Sequence, residues 1–443
     1  MASILLAIIT GFVPPDLFAN RSTYSKPNVI IIYTDDQGTL DMNCYGSKDL
    51  FTPNMDRLAE NGVRFTQFYA ASSICSPSRA ALLTGKTPLA AGMNENSPSA
   101  KGKGGLPTEQ LTVAEALREN GYVTAHIGKW HLGYSPETMP NGQGFDYSFG
   151  HMGGCIDNYS HFYHWHGANR HDLWENDQEV WRDGVYFQDL MADKVDSFLI
   201  ASKEKPFFLY YAINLPHYPL QGTAKWRAHY QNLPHPRDKY AAAISTVDEL
   251  IGRMLNRMEE LGLLDETIII FQSDHGHSVE ERTFSGGGNA GPYRGAKFSF
   301  FEGGIRVPAL ISWPKVIPKG LVRDQVGINT DWFPTILDLC GIGPIENLEG
   351  KTLKKVILTN DDSPHQEFWW HQSETHWAVR KGDWKLYKNP RDPTGKVPLD
   401  EKDSLFLVNL VKDPGERTNV AAQHPGKVTR LLKVYQDWYA QFD

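Results

Sequence analysis

Asn28-Val29-Ile30-Ile31-Ile32-Tyr33-Thr34-Asp35-Asp36 places an unbroken apolar run, mostly β-branched, directly before two adjacent carboxylates. An apolar stretch this short, with no polar alternation, reads as a strand buried on both faces. Runs of the same kind recur at 122–127, 207–213, 267–271 and 307–312. Helical patterns lie between them at 54–61, 113–120, 185–198 and 240–261, with Gly62, Gly121 and Gly262 as stops. Strands alternating with helices imply an α/β fold: a large, mostly parallel sheet sandwiched by helices.

The ends of these strands carry the chemistry. The first delivers Asp35 and Asp36. The second leads into Gly128-Lys129-Trp130-His131, the third into Asn214-Leu215-Pro216-His217, and the fourth into Ser273-Asp274-His275-Gly276. In open α/β sheets the C-terminal strand edge is where ligands bind. A lone Asp there commonly caps the next element. Asp35, Asp36 and Asp274 together repel one another, and a hard cation relieves that repulsion, with His275 adding an imidazole. His131 and His217 are candidates for proton transfer, and Lys129 for a counterion. Lys297, in Tyr293-Arg294-Gly295-Ala296-Lys297, has by its chemistry alone only the claim of a solvated lysine.

Cys75 stands in Ser73-Ile74-Cys75-Ser76-Pro77-Ser78-Arg79-Ala80-Ala81-Leu82-Leu83-Thr84-Gly85. Pro77 suits a first helical turn and Gly85 a C-terminal cap, which puts Cys75 at a helix N-terminus. A thiol held there is acidified and reactive, although most free cysteines are simply small buried hydrophobes.

The chain has 443 residues, enough for a large core and a second, smaller unit. A formal charge of −8 and the lack of a long basic run argue against nucleic acid as a partner. The four cysteines, at 44, 75, 155 and 340, are too sparse for a disulfide framework and match no zinc spacing. The apolar stretch near residues 4–13 resembles a signal peptide, so 1–24 is expected to be a leader and the protein periplasmic or secreted. No other stretch is apolar and long enough to span a membrane. A further helix is expected at 331–339. Beyond about residue 345, short strand patterns at 368–370, 376–379, 384–387 and 404–408 and a helical one at 428–439 describe an α+β subdomain. The expected division is 25–344 and 345–443. Gly286-Gly287-Gly288 marks a loop and is no phosphate-binding motif.

Cys75-Ser76-Pro77-Ser78-Arg79, continued by Leu82-Leu83-Thr84-Gly85, resembles the C-x-P-x-R signature of type I sulfatases of the alkaline-phosphatase superfamily. The segments at 28–36, 128–133, 273–276 and 302–308 match that family in order, and 378–385 and 413–416 resemble its tail. The resemblance implies that Cys75 is oxidised to formylglycine by a maturation enzyme, and that the aldehyde hydrates to a geminal diol. It implies a calcium site, with magnesium as the alternative, formed by Asp35, Asp36, Asp274, His275 and residue 75. Many relatives have Asn where His275 stands. Arg79, Lys129 and His131 would surround the diol, and His217 and Lys297 would contact the sulfate and its leaving oxygen. His217 would protonate the departing alcohol, and His131 would take the proton from the second hydroxyl.

Aromatic and histidine-rich stretches at 161–166, with Trp174 and Trp181, and at 369–371 and 376–377, suit the faces of sugar rings or the packing of a seam. A His-rich metal site there is disfavoured by irregular spacing. The expected substrate is a sulfated carbohydrate. The alternatives are a phosphodiester or phosphonate monoester, which the same signature also serves, and a catalytically silent glycan binder.

Overall fold

The computed structural model describes residues 26–442 except 101, 103 and 165–167, so the expected leader lies outside the described residues. Its centre is a ten-stranded sheet. In spatial order the strands are Leu321–Arg323, Gly62–Phe65, Ala309–Ser312, Thr267–Ser273, Asn28–Thr34, Phe207–Ala212, Val123–Lys129, Tyr147–His151, Trp174–Glu175 and Gln178–Glu179. The block from Thr267–Ser273 to Tyr147–His151 is parallel throughout. Ala309–Ser312 runs antiparallel to both of its neighbours.

Alternation along Asn28–Thr34 shows why an all-apolar run is required. Val29, Ile31 and Tyr33 enter the core on one face, and Ile30 and Ile32 enter the core on the other. The first face is covered by helices Cys75–Thr84, Val113–Glu119 and Trp332–Leu339, the second by Pro53–Glu60, Phe187–Ser202 and Arg237–Glu260. A substitution that slipped the register by one residue would exchange the two faces.

The tail forms a four-stranded antiparallel sheet, Glu367–Ser373, His376–Lys381, Trp384–Lys388 and Leu405–Asn409, backed by helix Pro425–Tyr439. Trp377 stacks on Tyr435 of that helix at 3.8 Å, Trp369 stacks on Trp438, and buried Trp370 donates its indole N–H to Ala70 O. These aromatics therefore pack the tail and its seam. Among the described residues no helix is long and apolar enough to cross a membrane.

Candidate active site

Helix Cys75–Thr84 begins after an extended Ile74 and ends at Gly85, whose left-handed φ of 65° lets its N–H reach Ala81 O. The N–H of Ser76 is capped from outside the helix by Asn96 Oδ1 at 3.0 Å. Tyr33 on the neighbouring strand holds Ser78 Oγ at 2.9 Å, so the helix is pinned to the strand that delivers Asp35 and Asp36. Cys75 Sγ consequently lies 3.8 Å from Asp35 Oδ1 and 3.4 Å from His275 Nε2.

The strand ends bring the expected carboxylates together. Asp36 N–H donates to Asp274 Oδ1 at 3.1 Å. Arg79 Nη2 lies 2.9 Å from Asp274 Oδ2 and 3.3 Å from Asp35 Oδ1, and Lys129 Nζ lies 2.7 Å from Asp35 Oδ2. Burial alone would raise Asp35, but Lys129, His217 and Arg79 hold it well below the usual carboxylate range. Burial carries Asp36 up to about 8 and Asp274 up to about 6. The Cys75 thiol is drawn down to about 6 against its burial, chiefly by Lys129 and Lys297. Its acidity thus comes chiefly from two lysines delivered by other parts of the chain.

The donor set suits a cation. Asp35, Asp36, Cys75 and His217 each offer an atom within 4.8 Å of the others, as do Asp35, Cys75, Asp274 and His275. Asp36 Oδ1 is buried, with the Lys297 ammonium 3.0 Å away but no aligned hydrogen bond, and Asp36 itself is held at a left-handed φ of 66°. Backbone strain of this kind persists where a site requires it. Gly276 O, which can only accept, lies 2.9 Å from His275 Nδ1, so Nδ1 carries a proton and Nε2 faces the carboxylates. Against its burial, Asp274 and then Cys75 raise the ion-free imidazole to about 9, and a bound cation would take the place of the Nε2 proton. Three buried carboxylates and an imidazole fit a hard divalent ion.

Above this cluster lies a cavity of about 290 Å³, lined by Cys75, His131, His217 and Lys297. Arg79 and Lys129 are not among its lining residues and are fully buried beside the carboxylates. Lys297 is only 3% exposed, which corrects the solvated-lysine reading; its Nζ lies 3.0 Å from Asp36 Oδ1 and 3.4 Å from Glu280 Oε2. His217 donates Nδ1–H to Tyr218 O at 2.8 Å and presents Nε2 3.8 Å from Asp36 Oδ2. His131 leaves its strand through a left-handed φ of 57°. Burial, then Lys297 for His217 and Lys129 for His131, keeps both imidazoles well below the ordinary histidine range. Tyr163, from the aromatic stretch at 161–166, also lines the cavity, as do Asn96, Glu280 and Arg282, which nothing in the sequence singled out. Asn96 and Glu280 lie on irregular loops and Arg282 in the single 3-10 turn Glu281–Thr283, where no periodicity marks them.

The chain belongs to the sulfatase family. The Sulfatase family model matches residues 27–342, and the model for the N-sulphoglucosamine sulphohydrolase C-terminal region matches 296–434. Human arylsulfatase A is 34% identical over all of this chain and 91% of its own length. Human N-acetylgalactosamine-6-sulfatase is 30% identical, covering 93% of this chain and 85% of the relative. Among solved structures, Ps i-CgsB in complex with k-i-k-neocarrahexaose superposes with a TM-score of 0.84 at 31% identity, over 94% of this chain and 93% of that one. A phosphonate monoester hydrolase of Agrobacterium radiobacter shares the fold at 20% identity, with a TM-score of 0.66. The protein is a sulfatase, a hydrolase of sulfate esters.

Proposed function

We propose that this sulfatase desulfates a carbohydrate, using a formylglycine made from Cys75 and a bound divalent ion, calcium or magnesium. The observation that carries the reading is the placement of Cys75 Sγ, 3.8 Å from Asp35 Oδ1 and 3.4 Å from His275 Nε2, at the floor of the cavity. Asp35, Asp36, Asp274 and His275 would hold the ion. Sγ stands where the hydrate oxygens would be. When bound, the ion polarises sulfate oxygens and the hydrate supplies a nucleophilic hydroxyl.

The remaining work belongs to this chain's own side chains. Lys297 neutralises charge developing on the sulfate, while Arg79 and Lys129 hold Asp35 and Asp274 ionised and in place. His217, with Nδ1–H committed to Tyr218 O, has only Nε2 to offer the leaving oxygen. An incoming sulfate adds negative charge beside that imidazole and favours its protonated form, suited to protonating the departing alcohol. His131 takes the proton whose removal regenerates the aldehyde. A glycan as substrate is supported by the solved relative that holds k-i-k-neocarrahexaose and by the relative named for N-acetylgalactosamine. Export, and maturation by a formylglycine-generating enzyme, complete the proposal.

The test is sulfate release from a panel of sulfated glycans by protein co-expressed with the maturation enzyme, with Cys75→Ala and a phosphodiester beside it. Release from a glycan that disappears in Cys75→Ala is expected. Equal release by the variant would sink the role of residue 75, and turnover of the phosphodiester alone would overturn the substrate class.

A further inference from the structure

A second donor cluster lies in the histidine-rich stretch, apart from the carboxylates at the strand ends. Phe162–Tyr163 and Arg170–His171 pair antiparallel, with Phe162 opposite His171 and Tyr163 opposite Arg170. His161, just before the first strand, is fully buried, and His171 is 6% exposed. His161, His171 and Asp183 each offer one donor atom, a ring nitrogen or a carboxylate oxygen, within 4.8 Å of the other two.

The tautomers follow from the partners. His161 Nε2 lies 3.1 Å from Val185 O, an acceptor only, so it carries the proton and leaves Nδ1 as a lone pair. His171 Nδ1 lies 3.1 Å from Glu179 Oε1, which assigns its proton to Nδ1 and leaves Nε2 as a lone pair. Both of these lone-pair nitrogens are buried and have no hydrogen-bond partner. Two buried imidazoles, each oriented by a carbonyl or carboxylate behind it, form the supporting shell that metal-ligating histidines use.

The surroundings are built to keep this geometry. His161 is held at a left-handed φ of 59°. The turn bearing Asp183 is tied down by Gly184 N–H to Tyr159 O at 2.9 Å. The His171 ring stacks on Trp181 at 3.8 Å and 8°. The irregular sequence spacing that argued against a metal here is explained by the fold, because strand pairing and a turn assemble the donors from three separate points.

We propose that His161, His171 and Asp183 bind a zinc-type divalent transition ion that braces the hairpin carrying Tyr163 at the cavity wall. Two imidazoles and one carboxylate suit such an ion better than calcium, and exposed Asp183 leaves room for a water as fourth ligand.

Cobalt(II) is the probe, because a low-coordinate site gives intense visible bands that the aquo ion lacks. Full-length protein is stripped with chelator, saturated with calcium, then titrated with Co²⁺. One equivalent is expected to produce the bands. His171→Gln should abolish them, Asp183→Asn should weaken binding at least tenfold, and Asp274→Asn should leave them unchanged. Melting curves in chelator report whether each variant is folded. Should His171→Gln fail to fold, Asp183→Asn decides alone, since its side chain is exposed. Only the pale spectrum of the free ion, or bands undisturbed by His171→Gln (by Asp183→Asn where that variant decides), would overturn the proposal.

Discussion

Asp36 has a left-handed backbone, a carboxylate oxygen that accepts no hydrogen bond, and Lys297 as its nearest cation. Without an ion, burial holds it up at about 8, so the folded protein keeps a proton that the unfolded chain releases. Asp36 therefore supports the ion-free fold at low pH, and that support is lost as pH rises through about 8. Ion binding requires the deprotonated carboxylate and strengthens over the same range. A fixed concentration of calcium should raise the melting temperature more at pH 8 than at pH 6; an equal or smaller shift at pH 8 would remove Asp36 from the ligand set. Lys297 tests the other half of the site. Lys297→Met should lower kcat/KM by about 10²–10³, the usual loss when a preorganised stabilising group is removed. The carboxylates were legible in the sequence because each closes an apolar run. Burial of Lys297 was not, because Asp36 is far away in the chain and Glu280 is brought back to it only by the fold of the loop between them.

Elements were legible where one residue pattern dictates them. Asn28–Thr34, Phe207–Ala212 and Thr267–Ser273 are buried along their whole length and read directly as apolar runs. Ala309–Ser312 has the same texture, and nothing local reveals that it runs antiparallel. Gly62–Phe65 escaped notice because it is four residues long and includes half-exposed Arg64. Gly128 marks a further constraint at this scale. It lies one residue before Lys129 with φ of 125°, and a Cβ there would come 2.0 Å from Ala212 O on the adjacent strand. Gly128→Ala must push apart the two strands that place Lys129 and His217. It should destabilise the protein by about 3 kcal/mol or more and abolish activity. Gly121→Ala, also at positive φ but with nothing within 4 Å, carries only the left-handed strain of about 1–2 kcal/mol. Denaturant midpoints of the pair separate the two effects, and equal midpoints would mean the strands yield easily.

The whole molecule depends on a buried polar seam between the large sheet and the tail. Lys385 of the tail sheet reaches Glu302 Oε1 at 2.8 Å, Tyr69 donates to Glu302 Oε2 at 2.6 Å, and Arg380 donates to Tyr69 at 2.6 Å. Glu416 accepts from the Glu302 N–H at 2.6 Å and meets the Tyr387 hydroxyl. Glu302 and Glu416 were visible in the sequence only as parts of familiar segments, since their partners converge only once the tail has folded back. The two carboxyls respond oppositely. Both feel burial first. Lys385, then Arg306 and Arg380, nevertheless hold Glu302 down at about 2, whereas burial keeps Glu416 up at about 8. Glu302 thus stabilises the fold above the ordinary carboxylate range, and that contribution is lost as pH falls through about 2. Glu416 keeps its proton when folded, so stability declines as pH rises from about 4.5 through 8, by at most about 1.4 kcal/mol per pH unit. Glu416→Gln copies the protonated form, with an amide that can donate to Tyr387 and a carbonyl that can accept from Glu302 N–H. It should be nearly neutral at pH 6 and flatten the decline toward pH 8. Glu302→Gln leaves Lys385 buried without its nearest carboxylate and should cost about 3–5 kcal/mol. Urea melts of both variants from pH 5 to 8 check the assignment. If Glu416→Gln proves the costlier at pH 6, the proton sits on the other carboxyl, and Glu416 is the ion that Lys385 holds.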